Sequence, residues 1–153
     1  MNSPKNKLEA AFVEFLKAQA TDRMHPLWGL NFYASQSKEK KSLPAVILFC
    51  EEAEELETGC GVREGDLYAY MLTQKDDETV AVHDERLVAV GSALSDIEPV
   101  KQALNYPGAL QPRPVNDFHL YGFYENRAKK EDKERHFGEA IRYRVTWATF
   151  DRR

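Results

Sequence analysis

Residues 140–150 read AIRYRVTWATF, and their alternation decides the fold class. Ile141, Tyr143, Val145 and Trp147 fall on one parity, Arg142, Arg144 and Thr146 on the other. Successive side chains of a strand point to opposite faces, so this segment is a strand buried on one side only. Upstream, residues 118–124 read FHLYGFY and form a second, aromatic-rich strand. This one is apolar at both parities: Phe118, Leu120 and Tyr124 on one face, Tyr121 and Phe123 on the other. The densely charged stretch Asn126–His136 is expected as the loop of a strand–loop–strand hairpin. It is nearly balanced: Arg127, Lys129, Lys130, Lys133 and Arg135 against Glu125, Glu131, Asp132 and Glu134, or 5 − 4 = +1.

Working outward, Leu8, Phe12, Phe15 and Leu16 recur at helical spacing after Ser3-Pro4, a capping side chain followed by a proline that tolerates the first turn. The spacing predicts a helix over 4–20, with Glu9, Glu14 and Lys17 off the apolar stripe. A polar loop is expected over Ser35–Ser42. The run Ala45–Cys50, AVILFC, lacks alternation and reads as a strand covered on both faces. Leu67–Thr73 is the next strand. Val80, His83, Leu87, Val90 and Leu94 share a helical face, and Ser95 caps a second short helix through Asn105 with Ile97, Val100 and Leu104 inward. Residues 106–114 are a proline-rich loop. The order α-β-β-α(α)-β-β is an α+β class. It implies a mixed or antiparallel four-stranded sheet, with helices packed on one face, in a single domain over 1–153.

Composition narrows function by exclusion. The 153 residues are 42% apolar and 30% charged, which suits a folded domain, and the net charge of −4 disfavours a general nucleic-acid binder. No apolar run approaches the ~20 residues that span a bilayer. The first helix is amphipathic and does not read as a signal peptide, so the cytoplasm is the expected compartment. Two cysteines make no disulfide framework; Cys50 reads as a small core residue and Cys60 as part of a Gly-Cys-Gly turn.

The candidate chemistry is sparse. The acidic run Glu51–Glu57 has no accompanying ligand pattern and reads as a solvated strand end or loop. His83 sits on the apolar stripe and is expected as a partly buried, hydrogen-bonded histidine, not a base. No nucleophile elbow, phosphate loop or His-Glu-x-x-His pair occurs, so no catalytic, cofactor or metal residue is assigned. A pocket around His25, Trp28 and Tyr33 is the alternative for a small ligand-binding domain or an enzyme without a motif. A basic adaptor surface at Arg127–Arg135 is another.

The layout over about residues 4–151 resembles the tail terminator, or tail completion, proteins of long-tailed bacteriophages and prophages. The resemblance runs from the N-terminal helix through the strand opening Leu43-Pro44-Ala45, Leu67–Thr73 and the His83–Leu94 helix to the closing hairpin. It implies a structural subunit that assembles as a hexameric ring, caps the tail tube and meets the head connector. An equivalent role in another neck or head–tail joining protein is the near alternative. It implies no enzyme activity, no cofactor, no membrane and no specific nucleic acid. Its partners would be further copies of itself, tail-tube and head-connector proteins, first in the host cytoplasm and then in the virion tail. The aromatic second face of 118–124 and the charged segment make the candidate protein interface: Phe118, Tyr121, Phe123, Arg127, Lys129, Lys130, Lys133 and Arg135.

Overall fold

The computed structural model describes residues 4–51, 54–55, 61–75, 80–105, 118–130 and 136–149. Helix α1 (Pro4–Gln19) leads into β1 (Asn31–Ala34), β2 (Ala45–Cys50), β3 (Glu54–Glu55) and β4 (Val62–Gln74). Helices α2 (Val80–Ala93) and α3 (Ile97–Asn105) follow, then β5 (Phe118–Lys130) and β6 (His136–Thr149). The sheet runs β1-β2-β4-β6-β5, with β3 paired to β4 beside that path. Among the described strands, only β1–β2 is parallel; the other pairings are antiparallel.

The register explains which face is buried. Opposed residues in a ladder share a face. Leu48 and Cys50 of β2 lie opposite Ala69 and Leu67 of β4, which lie opposite Ile141 and Tyr143 of β6. These residues, with Val145, Trp147 and Leu120, join Leu8, Phe12 and Leu16 of α1, Val90 of α2, and Val100 and Leu104 of α3 in one core. All three helices therefore cover the same face of the sheet. Strand β6 shows the alternation read from its sequence: Tyr143, Val145 and Trp147 buried, Arg142, Arg144 and Thr146 half-exposed.

The α+β class and the helix-on-one-face arrangement stand, but the strand count does not. Among the described residues, six strands are present where four were expected. Asn31–Ala34 is too short and irregular in pattern to signal a strand, and Glu54–Glu55 is a strand of two acidic residues with no apolar pattern. Strand β4 begins at Val62, five residues before the apolar run, because its polar start pairs with the end of β6. The expected loop Asn126–His136 is largely strand: β5 continues to Lys130 and β6 begins at His136. Charged residues tolerate an edge strand because one side of it meets water, and this is what composition alone hides. Residues 131–135 and the proline-rich 106–114 lie outside the described residues.

Three local readings also change. Strand β2 is not covered on both faces: Ala45, Val46, Leu48 and Cys50 are buried, but Ile47 and Phe49 remain half-buried on the face away from the helices. In α2, Val80 is 50% exposed and off the packed stripe, which His83 and Val90 carry, with buried Leu94 just past the helix end. The cap of α3 is Asp96, whose Oδ1 accepts the Glu98 N–H at 3.2 Å, while Ser95 Oγ donates back to Ser92 O.

The largest surprise is Glu9. Placed by sequence on the solvent side of α1, it is 1% exposed. Its Oε1 accepts from Ser35 N (3.0 Å) and Ser35 Oγ (2.7 Å), and its Oε2 accepts from Cys50 N at 2.8 Å. Ser35 and Cys50 sit at the C-terminal ends of the parallel pair β1 and β2. One carboxylate thus ties the helix to both strand ends: it satisfies the Cys50 N–H that the ladder leaves open and shares the Ser35 N–H with Leu48 O, which accepts it at 2.9 Å.

Candidate functional site

With the helices on one side, no described element packs on the other face of the sheet, and the candidate site lies there. Ile47, Phe49, Tyr68, Tyr70 and Leu72 form its centre, because Ile47 lies opposite Tyr70 and Phe49 opposite Tyr68. Tyr68 and Tyr70 stack at 5.7 Å and 23°, and Phe49 tilts toward Tyr68 at 6.2 Å. Neighbours at i and i+2 on one strand share a face, which is what lines the rings up.

Polar groups edge this aromatic centre on the β6 side. Arg144 donates from Nε to Glu64 Oε1 at 2.7 Å and from Nη1 to Asp66 Oδ1 at 3.2 Å. Those hydrogen bonds, Glu64 first and then Asp66, hold its guanidinium even more firmly protonated than usual. Arg142, two residues earlier, is different. It lies between Tyr68 and Arg127 in register, and its Nε is buried with no hydrogen-bond partner among the described residues. Placing like charges opposite each other in a ladder costs stability.

Strand β5 corrects the expected faces of 118–124. The ladder slips between Leu120 and Gly122, so Tyr121 is an extra residue in a bulge. A one-residue insertion exchanges the faces of everything beyond it. Phe123, read with Tyr121, instead shares the helix side with Leu120 and packs edge-on to Phe12 (5.7 Å, 82°) and Tyr143 (5.6 Å, 78°). Tyr121 and Tyr124 are left 47% and 62% exposed. Phe118, Arg127, Lys129 and Lys130 lie in β5, whereas Lys133 and Arg135 fall outside the described residues.

The edge of β5 is closed at one point. Asn105, the last residue of α3 and 2% exposed, donates from Nδ2 to Leu120 O (2.9 Å) and accepts Leu120 N–H at Oδ1 (2.6 Å). Its amide imitates the peptide of a further strand. Sequence reading took Asn105 as a helix end; only the tertiary contact reveals this role.

The alternative pocket does not gather its three residues. His25 Nδ1 accepts Leu27 N–H within a local turn, Trp28 is 50% exposed, and Tyr33 Oη accepts Ser42 N–H. A groove of about 340 Å³ beside α1 and β1 is lined by Lys17, Leu30, Asn31, Phe32, Tyr33 and Glu39 among others, but by neither His25 nor Trp28. Among the described residues, no cluster of three or more His, Cys, Asp or Glu could hold a metal. His83 is buried, with Nδ1 2.8 Å from Thr73 Oγ1 and its ring beside Phe137. Cys50 is a free, buried thiol. Among the described residues, no helix is long and apolar enough to cross a membrane.

The class this architecture defines is an α+β domain with three helices on one face of a mixed sheet and an open aromatic face opposite. Among solved structures, it is similar to a chain from the "virion of native gene transfer agent (GTA) particle". That likeness has a TM-score of 0.54 at 12% identity and covers 95% of this chain and 99% of the other. A second solved chain matches over 99% of both lengths at 12% identity, with a TM-score of 0.49. No family model and no curated protein matches the sequence.

Proposed function

We propose that this chain is a structural subunit of a phage-type particle, acting through protein contacts and not through catalysis. More narrowly, it is a ring-forming tail terminator that closes the tail tube and meets the head connector. The observation that carries the reading is the near full-length likeness to a chain of a gene-transfer-agent virion. The open sheet face supports it, since half-exposed Ile47, Phe49, Tyr70 and Leu72, with Tyr121 and Tyr124 at the β5 side, form an apolar surface of the kind that marks interaction sites. The candidate interface is accordingly centred on Tyr121 and Tyr124, together with Phe118, Arg127, Lys129, Lys130, Lys133 and Arg135. Phe123 supports it from within the core.

The test is assembly. Light scattering and negative-stain electron microscopy of the purified chain, alone and mixed with the tail-tube protein of the same particle, should show closed rings. Tyr121→Glu with Tyr124→Glu should keep the thermal transition, because both side chains are exposed, and lose the rings. A monomer in every mixture, with no ring in micrographs, would sink the reading.

A further inference from the structure

The two edges of the sheet are finished differently. At β5, the Asn105 amide occupies the backbone of Leu120 as a further strand would. At the opposite edge lies β1, which pairs with β2 alone. Asn31 N–H donates to Pro44 O at 3.1 Å and Ser35 N–H to Leu48 O at 2.9 Å, so the odd-numbered residues turn their peptides toward β2. The two-residue period of a strand then turns the backbone groups of Phe32 and Ala34 outward. Ala34 O accepts Ser37 N–H at 3.0 Å. Phe32 N–H, Phe32 C=O and Ala34 N–H have no hydrogen-bond partner among the described residues.

A groove runs along this row. Two hollows of about 340 and 190 Å³ share Lys17, Phe32, Tyr33 and Glu39 as lining, and the second continues past Ala34 and Val13 of α1. Its outer wall is fixed. Asn31 Nδ2 donates to Ser42 O at 3.1 Å, and Tyr33 Oη accepts Ser42 N–H at 3.0 Å. Lys41 Nζ donates to Ser37 O at 3.0 Å and lies 5.6 Å from the centre of the Tyr33 ring. The charge beside the groove runs against the chain's net −4: Lys17, Lys38, Lys40 and Lys41 against Glu14 and Glu39, or 4 − 2 = +2. Lys17, Lys38 and Lys40 are exposed.

We propose that the β1 edge receives an extended, acidic peptide segment of another protein, added as an outer strand beside Phe32–Ala34. An extended chain is the occupant because its alternating N–H and C=O groups match the open row, for which a strand edge is a template. Main-chain bonds supply the affinity, Val13 and Phe32 meet an apolar side chain at alternate positions, and the lysines select carboxylates. This goes beyond the particle reading and does not depend on it, since the site lies at the edge of the sheet opposite Tyr121 and Tyr124.

The probe is a short capped peptide alternating valine with glutamate, titrated into the full-length chain by fluorescence anisotropy. Amide hydrogen exchange is followed in parallel. Saturable binding should slow exchange at Phe32 and Ala34, while Tyr33 and Ser35, already bonded to β2, change little. Lysine in place of the peptide's glutamates, or Lys38→Glu with Lys40→Glu in the protein, should weaken binding about tenfold, and added salt should weaken the wild-type complex. Ala34→Pro deletes an outward N–H and no ladder bond, a change that an edge strand tolerates, and should abolish binding with the circular dichroism spectrum kept. Should that variant unfold, methylating the peptide's own backbone nitrogens makes the same test from the other side. Absence of saturable binding, binding that survives N-methylation, or binding without protection of Phe32 and Ala34 would overturn strand addition. Equal affinity for the lysine peptide would overturn the acidic partner. Protection of both amides that grows with protein concentration alone would assign the edge to a second copy and overturn it too. Ring formation is scored separately in micrographs and stands or falls on its own.

Discussion

Replacing Glu9 with alanine removes an acceptor shared by three donors, of which Ser35 N–H keeps its bond to Leu48 O. Ser35 N–H and Cys50 N–H cap the ends of β1 and β2, and Ser35 Oγ adds a third bond to the same carboxylate. Ser35 N–H retains Leu48 O and its half-buried hydroxyl can recover water, whereas the Cys50 amide bonds at a buried position. A hydrogen bond to a charged group is worth about 1.5–3 kcal/mol, and an unsatisfied buried donor costs about 1–3 kcal/mol. Against this, alanine no longer needs a carboxylate taken out of water. The balance is a loss of about 2–4 kcal/mol, a large part of the ~5–15 kcal/mol that holds a domain together. For a chain of this size that is on the order of 5–15 °C in melting temperature.

Urea denaturation gives the free energy, and amide hydrogen exchange at Ser35 and Cys50 gives its location. Glu9→Gln is the informative companion. Its Oε1 can still accept from Ser35, but its NH₂ confronts the Cys50 N–H donor, so it should recover only part of the loss. Stability of Glu9→Ala within about 1 kcal/mol of the wild type would refute the reasoning, because an uncapped Cys50 amide would then cost nothing.

Two further outcomes follow from the same geometry. Asn105→Ala should cost about 2–3 kcal/mol by losing both bonds to the Leu120 backbone, and should raise aggregation by opening the edge of β5; unchanged solubility and melting would contradict the edge-guard role. Burial, then the nearby Glu9, pushes the Cys50 thiol up to about 12 from an ordinary 9.0. The folded chain therefore keeps a proton that the unfolded chain releases above about pH 9. Relative to Cys50→Ala, the wild type should lose about 1.4 kcal/mol per pH unit from pH 9 toward 12, with no difference in slope below 9; parallel curves throughout would argue against a buried neutral thiol.

What was legible in the sequence had a regular period. Residues 141–147 alternate because β6 has the core on one side and the open face on the other, and α1 repeats at helical spacing because one stripe meets the sheet. Phe123 was misplaced because nothing in FHLYGFY announces a bulge, and a single extra residue at Tyr121 reverses the parity beyond it. Glu9 was misplaced because its partners lie 26 and 41 residues away, beyond any local pattern. The charged hairpin read as loop because an edge strand is free to carry polar side chains. For the candidate site, the exposure of Tyr121 could be read, whereas the position of Arg142, its Nε buried without a partner among the described residues, needed the register of three strands.

The sheet also sets a timetable. Strand β4 lies between β2, close by in sequence, and β6, whose Arg144 meets Glu64 from 80 residues away. Helix α1, β1 and β2 can find one another early, since Glu9, Ser35 and Cys50 all lie within the first third of the chain. The central β4–β6 ladder, by contrast, must wait until the last strand has been synthesised, and closing so long a loop is costly and slow. Until then the edge of β4 that will receive β6 stands open, and encounters between chains compete with completion of the sheet. A high concentration of newly made chains would therefore favour association during folding, before the sheet is complete.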